Sequence, residues 1–216
     1  MLSLRPALPP ATLLNLLFDS ILKENTLVAD DTSLAAAILD EARRSFRGYK
    51  RLADGALAQV DDRGFFYVPD PESNSIAILV KHISGNLRSR WTDFLTTDGE
   101  KPDRDRDQEF IITPENTRQD LMQRWEAAFE TTFNTLQSLT PEDFSRTVYI
   151  RGDAHTILQA INRSLNHIVS HIGQIQYVAK LVQGTNWQTL SVPRGKSKEF
   201  NAMKKEDRKG IAPTRG

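Results

Sequence analysis

The chain has 216 residues, enough for one domain with a full hydrophobic core, and its composition is ordinary for a soluble globular protein: 39% hydrophobic and 26% charged. The 28 Lys and Arg residues balance the 28 Asp and Glu residues, so no overall field favours a nucleic-acid or membrane partner. Because the chain has no cysteine, disulfides, thiolate zinc sites and a protein thiol nucleophile are excluded. A reaction of a thiol would need that thiol as a cosubstrate, and we expect a cytoplasmic protein.

Residues 1–31 are expected to form an N-terminal extension that is poorly ordered or a short helix. Its leucine-rich run is interrupted by Pro9, Pro10, Asn15 and Asp19, and no clean small-residue cleavage site follows. A signal peptide is therefore the weaker interpretation of this segment. No other segment has the length of a transmembrane helix.

The apolar residues after the extension recur with a period near 3.6 and predict four long helices. These helices cover about residues 32–60, 74–95, 113–136 and 153–182. Thr113, Pro114 and Glu115 form the predicted start of the third helix, and Asp153 is the predicted N-cap of the fourth. A turn of helix at 140–142 and an extended piece at 147–150 fill the last crossover. The pattern is typical of an all-α, up-down four-helix bundle with crossover loops, here over residues 32–203.

A histidine pair, His167 and His171, lies on the predicted fourth helix, and His82 lies on the second. Residues four apart project from the same helix face, so both imidazoles of the pair could reach one metal ion. A third ligand from a neighbouring helix would leave positions open for water or substrate. A chance pair on a packed or solvated helix explains the same spacing. His155, in the predicted first turn of the fourth helix, lies ~18 Å from His167 and is too far away to share the ion.

Two amides flank the predicted metal site and are its candidate supporting residues. Asn86 follows His82 by four residues and Gln174 follows His171 by three, so either amide could orient a ligand or a bound water. They could equally be ordinary polar residues at one end of the bundle. Gly85 and Gly173 lie inside helices, where glycine costs ~1 kcal/mol relative to alanine. We therefore expect close approach of helices beside the site at both glycines.

The segment 96–113 contains nine charged residues of both signs. It is either a solvated linker or a loop ordered by paired charges over one end of the bundle. The second interpretation pairs its charges with Arg88 and Arg90. The loop residues involved would be Asp98, Glu100, Arg104, Arg106 and Asp107.

The segment 191–201 is expected to fold back, either as a structural staple or with Arg194, Lys196 and Lys198 near the site. Residues 204–216 are expected to be a disordered basic tail.

Three separated segments resemble one branch of the DinB-like superfamily, over about residues 33–203. They are NSIAILVKHISGNLRSRWTDFLTTDGEKPDRDRDQEF (74–110), NRSLNHIVSHIGQIQYVAK (162–180) and SVPRGKSKEFN (191–201). The superfamily includes YfiT and the bacillithiol-transferase relatives. Asp103 is a departure, because the branch has an aromatic residue at that position, and it puts the order of the charged loop in doubt.

The resemblance implies a four-helix bundle that holds a divalent metal with one histidine of the second helix and two of the fourth. Those positions correspond to His82, His167 and His171, and His155 lies outside the set. It further implies a homodimer and, for some members, transfer of a low-molecular-weight thiol to an electrophile. A metal-dependent hydrolase and a noncatalytic metal-binding or stress-response protein remain alternatives. Zinc, nickel, iron or manganese would each suit three imidazoles.

Overall fold

A computed structural model describes residues 31–203, and its architecture is the predicted all-α four-helix bundle. The four long helices are α1 (Asp31–Leu57), α3 (Ile76–Trp91), α4 (Arg118–Ser138) and α5 (Ile157–Gln183). Two short helices, α2 (Asp62–Phe65) and α6 (Ser197–Ala202), lie outside this set. The expectations for residues 1–30 and 204–216 lie outside the described residues. Among those described, no helix combines the length and the apolar character needed to cross a membrane.

Aromatic side chains fill the middle of the bundle, where α3 packs against α4 and α5 and α1 packs against the same two helices. Trp91 meets the edge of Phe46 at 5.5 Å between ring centroids and stacks on Phe94 at 4.9 Å. Burying each large apolar side chain contributes roughly 1.5–3 kcal/mol, so we expect this core to remain folded without a metal ion. The buried face of α1 begins at Ala35, whereas the preceding Leu34 is 53% exposed.

Two predicted helix starts were wrong, and side-chain capping explains both. Helix α4 begins after Thr117, whose hydroxyl accepts a hydrogen bond from the backbone N–H of Asp120 at 3.1 Å. Helix α5 begins after Thr156, which forms a reciprocal capping box with Gln159 at 2.9 and 3.2 Å. A capping box satisfies two otherwise unpaired N–H groups, which favours this start over Asp153.

The residues before α5 form a β-hairpin in which β1 (Thr147–Ile150) pairs antiparallel with β2 (Asp153–Thr156). Arg151 and Gly152 form its two-residue turn with φ of 58° and 79°, as a type I′ turn requires. The Asp98 carboxylate accepts both turn N–H groups, each at 2.8 Å, and so holds Arg151 in the left-handed region. His155 lies in β2 opposite Val148 and not in a helix.

The charged segment 96–113 is an ordered loop, as its second interpretation predicted. Arg90 pairs with Glu100 at 3.0 Å, and the loop backbone joins the hairpin through the Gly99 N–H and the Tyr149 carbonyl at 2.8 Å. Asp103 pairs with Arg88 at 2.8 Å, so this departure from the resembling branch adds a contact to the loop. The loop ends in a 3-10 helix at Asp107–Phe110, which packs against α3.

Candidate metal centre

The three predicted histidines converge at one point between α3 and α5. His82, His167 and His171 each offer one ring nitrogen, and these three atoms lie within 4.8 Å of one another. Nε2 of His82 and Nε2 of His167 are 3.1 Å apart. Ligand nitrogens at 2.0–2.1 Å from a tetrahedral ion would be roughly 3.4 Å apart, so the cluster has the dimensions of a metal centre.

Glu109 fixes the ring of His82, which is only 2% exposed. Nδ1 of His82 donates to Oε2 of Glu109 at 2.8 Å, so in the neutral ring Nε2 carries the lone pair that faces the other two histidines. Burial opposes ionisation of Glu109, but hydrogen bonds from His82 and Arg104 outweigh it and hold the pKa of the carboxyl below its usual value. A carboxylate behind a histidine is a common support for a metal ligand, because it sets the tautomer and raises the basicity of the ring.

Arg104 holds Glu109 in turn. Its Nε and Nη2 donate to the two carboxylate oxygens at 2.8 and 2.9 Å, and its side chain is 3% exposed. The carboxylate lies directly against Gly85, where an added Cβ would overlap Oε1 and come within 2.7 Å of Cδ. The close approach predicted at Gly85 therefore exists, but its cause is this loop carboxylate and not a second helix. At Gly173 the prediction was wrong, because a Cβ there would meet nothing within 4 Å among the described residues.

Gln174 contacts His171, the histidine it was proposed to support, and its role as a supporting residue stays a prediction. Nδ1 of His171 donates to the Gln174 side-chain oxygen at 2.8 Å, which leaves Nε2 of the neutral ring with its lone pair. Asn86 is buried and lies in the wall of the adjoining cavity. Within residues 31–203 no hydrogen bond joins Asn86 to a histidine, so the interpretation of Asn86 as a ligand-orienting residue stays a prediction.

His167 lacks such a support. Its Nδ1 is buried, and none of the described residues offers it a hydrogen-bond partner. Burial, followed by the neighbouring His171 and His82, lowers the pKa of His167 to about 3. Burial also lowers the pKa of His171, although the Gln174 hydrogen bond opposes it. Both rings are thus neutral at physiological pH, which is the form that binds a metal ion. The residues present fit a divalent metal.

A cavity of about 270 Å³ adjoins the cluster. His82, His167, Asn86 and Ser164 lie in its wall, together with five arginines from four parts of the fold. These are Arg90, Arg104, Arg106, Arg151 and Arg163. Arg194, Lys196 and Lys198, the cations predicted to approach the site, do not line this cavity, and Lys196 pairs with Glu199 at 2.7 Å.

Sequence reasoning missed Glu109 and most of the arginine wall. Glu109 was one of nine charges in a loop without periodicity, 27 residues from the histidine it supports. Gly85 carried a usable signal, since a helical glycine three residues after a candidate ligand marks a place where another group approaches. The four-residue spacing of His82, Asn86 and Arg90 was a second signal, because such residues share a helix face.

A comparison with curated proteins found no match to the chain. A comparison with family models found a match over residues 33–196, which covers the four long helices and all three histidines. That family is described as a protein of unknown function. The chain belongs to this family, DUF1572.

Proposed function

We propose that the protein is a divalent-metal-dependent enzyme in which His82, His167 and His171 hold the ion. The single observation that carries this proposal is the convergence of three ring nitrogens within 4.8 Å, beside a cavity that His82 and His167 line. A structural metal site is normally closed by four protein ligands, whereas a catalytic one keeps a position for water or substrate. A three-histidine cluster in which His82 and His167 line a cavity matches the second arrangement and disfavours a noncatalytic metal-binding protein.

The reaction we propose is transfer of a low-molecular-weight thiol to an electrophile, in line with the DinB-like resemblance of the three segments. A divalent ion bound by neutral imidazoles lowers the pKa of a thiol or a water beside it. The protein has no cysteine that could occupy the metal in place of the substrate. The arginine wall lowers the energy of an anion in the cavity, and a thiolate is more strongly favoured by such a field than a neutral thiol.

The individual residues would divide the work between holding the ligands and holding the substrate. Glu109 and Gln174 keep the lone pairs of His82 and His171 directed at the centre, so little reorganisation is needed when a metal binds. Asn86 lies beside His82 in the cavity wall and can donate an amide hydrogen to a substrate atom. Ser164 already accepts a hydrogen bond from Nε1 of Trp91 at 3.0 Å, so its position is fixed.

The test is a transfer assay with several low-molecular-weight thiols and one chromogenic electrophile, on protein purified without a histidine tag. We expect thiol consumption that chelation abolishes and that His171→Ala removes. His155→Ala is the matched control, because this histidine lies on β2 outside the cluster, and it should retain full rate. Metal-dependent release of an ester's alcohol without thiol consumption would favour the metal-dependent hydrolase over the proposed transferase. Metal binding with neither activity would leave only the binding protein.

A homodimer is proposed on the resemblance, and exposed apolar residues on α5 are compatible with it. Tyr177 is 71% exposed and Leu181, one turn later, is 52% exposed. Light scattering at micromolar concentration should give twice the chain mass, and a monomer mass would remove this proposal.

A further inference from the structure

We infer that the arginine-lined cavity binds the oxyanion of a small molecule, a carboxylate or a phosphate, and holds the rest of that molecule against His82 and His167 of the histidine cluster. This inference deepens the proposed function, since it names the chemical class of the substrate, but its physical argument does not require the metal. The wall of this cavity is positively charged. The cavity wall contains five arginines and no acidic residue.

The carboxylates behind this wall do not neutralise it. Glu100 accepts from Arg90, Arg104 and Arg151 at 3.0–3.2 Å, and Glu109 pairs with Arg104. Asp107 is 3.7 Å from Arg106, and its side chain is 92% exposed. With Asp107 and Asp98 counted, the latter interacting electrostatically with Arg90, five guanidinium groups face four carboxylates. The remaining excess of positive charge in a concave, partly buried space favours an anion.

Arg163 and Arg151 have N–H donors that no described residue uses. Arg163 forms no ion pair or hydrogen bond with any side chain in the described part of the chain, although it lines the cavity. Arg151 uses only its Nε, at 3.1 Å from Glu100, so both of its terminal nitrogens are free to donate. A guanidinium group has five N–H donors in a fork that matches the two oxygens of a carboxylate or the oxygens of a phosphate. These two arginines are therefore available for a ligand without loss of a described contact.

Arg151 reaches the cavity from an unfavourable backbone conformation. Its backbone has φ of 58°, a conformation that is uncommon for a residue with a side chain, and Asp98 holds it there through two hydrogen bonds at 2.8 Å. Asparagine or glycine is the usual residue at this position of a type I′ turn. An arginine held there against its preference, with its side chain on the cavity, is the arrangement expected of a binding residue.

Arg163 and Arg90 are aligned with histidines along their helices. Along α5, Arg163 precedes His167 by four residues, and along α3, Arg90 follows His82 by eight, so on each helix the arginine shares a face with a candidate ligand. The helix rise puts Arg163 ~6 Å and Arg90 ~12 Å from these histidines along the axis. A ligand whose oxyanion lies among the arginines thus has its reacting atom several bonds away. The volume of about 270 Å³ corresponds to about nine water molecules, which suits a small metabolite and excludes a macromolecular segment.

The test is calorimetric titration of the full chain with inorganic phosphate, with succinate and with uncharged succinamide, at constant ionic strength. Metal is first removed with a chelator that is then dialysed away, so that neither metal nor chelator contributes to the signal. We expect phosphate or succinate to bind and succinamide not to bind. Arg163→Gln and Arg151→Gln should each weaken oxyanion binding about tenfold, the value of one charge-assisted contact. Preference for one of the two anions would assign the group as phosphate or carboxylate.

Arg51→Gln is the matched control. Arg51 is an exposed helical arginine that makes no ion pair among the described residues, and its replacement should leave the oxyanion affinity unchanged. The inference is overturned if neither anion binds, or if both Arg163→Gln and Arg151→Gln bind as wild type does. It is also overturned if Arg51→Gln weakens binding as much as Arg163→Gln. Because the titration uses metal-free protein, oxyanion binding by a chain that never takes up metal would uphold this inference and contradict the proposed function.

Discussion

Replacing Gly85 by alanine would add one methyl group to α3 where Glu109 packs against the helix. In an unobstructed helix this change stabilises a protein by roughly 0.5–1 kcal/mol, because glycine loses more backbone freedom on folding. Here the new Cβ would overlap Oε1 and lie 2.7 Å from Cδ of Glu109. The carboxylate cannot simply move aside, since three hydrogen bonds from His82 and Arg104 hold it at 2.8–2.9 Å.

The expected magnitude follows from those bonds. Displacing the carboxylate would break its bond to His82 and one of its two bonds to Arg104, each about 1.5–3 kcal/mol for a buried charged group. After subtraction of the helical gain, Gly85→Ala should lower the free energy of unfolding by about 2–5 kcal/mol. The same displacement removes the support of a candidate ligand, so metal affinity should fall about 10- to 100-fold.

Urea denaturation of metal-free protein, followed by circular dichroism, measures the first effect, and a chelator competition titration measures the second. Gly173→Ala is the matched control, because no described atom lies within 4 Å of the position its Cβ would take. It should stabilise the protein by roughly 0.5–1 kcal/mol and leave metal affinity unchanged. If Gly85→Ala stabilises the protein as much as Gly173→Ala does and keeps its metal affinity, the assignment of Glu109 as the support of His82 is wrong.

Three further predictions concern the support of the ligands, acid stability and the start of α5. Glu109→Gln keeps the size of the side chain but removes its charge, so metal affinity should fall about 10- to 100-fold in the chelator titration. An unchanged affinity would contradict the role of the Glu109 charge in supporting His82. The metal-free protein should lose stability as pH falls from about 6.5, where an unfolded histidine takes up a proton, towards 3, because the pKa of folded His167 is lowered to about 3. The change in the free energy of unfolding with pH should stay below ~1.4 kcal/mol per pH unit for this ring, since the ring is only partly buried. Urea denaturation at pH 7 and pH 5 should show a smaller pH dependence of this free energy in His167→Ala than in wild type. Thr156→Ala should destabilise the protein by about 1 kcal/mol in the same denaturation assay, whereas Asp153→Ala, at the start predicted from sequence, should change stability by under ~0.5 kcal/mol.

The periodicity of apolar residues was enough to predict the bundle, because each helix must bury one face against the others. In α4, for example, the apolar residues Leu121, Trp125 and Phe129 recur at four-residue spacing, and all three are fully buried. The helix starts could not be predicted as well, because several residues before each helix could serve as its cap. Thr113 and Thr117 compete at one start, and Asp153 and Thr156 at the other. The outcome depends on which side chain forms reciprocal bonds and on whether the preceding residues pair as a strand.

The candidate site also contains residues whose position sequence spacing can indicate and residues whose position depends on tertiary contacts. The spacing of His167 and His171 allowed a shared metal site without excluding a chance pair, and the resemblance to the DinB-like superfamily favoured a site made with His82. Glu109 and Arg151 could not be predicted, since a loop and a hairpin turn bring them to the site and neither has a periodic relation to a ligand. Their positions depend on tertiary contacts, such as the hold of Asp98 on the hairpin turn.

The most direct test of the metal centre is elemental analysis of untagged protein, with wild type, His167→Ala and His155→Ala purified side by side. We predict close to one equivalent of a divalent transition metal per chain in wild type and in His155→Ala, and loss of most of it in His167→Ala. Circular dichroism should show that the His167→Ala bundle remains folded, because its aromatic core does not depend on the ion. Undiminished metal content in folded His167→Ala would contradict the assignment of this histidine and, with it, the three-histidine centre.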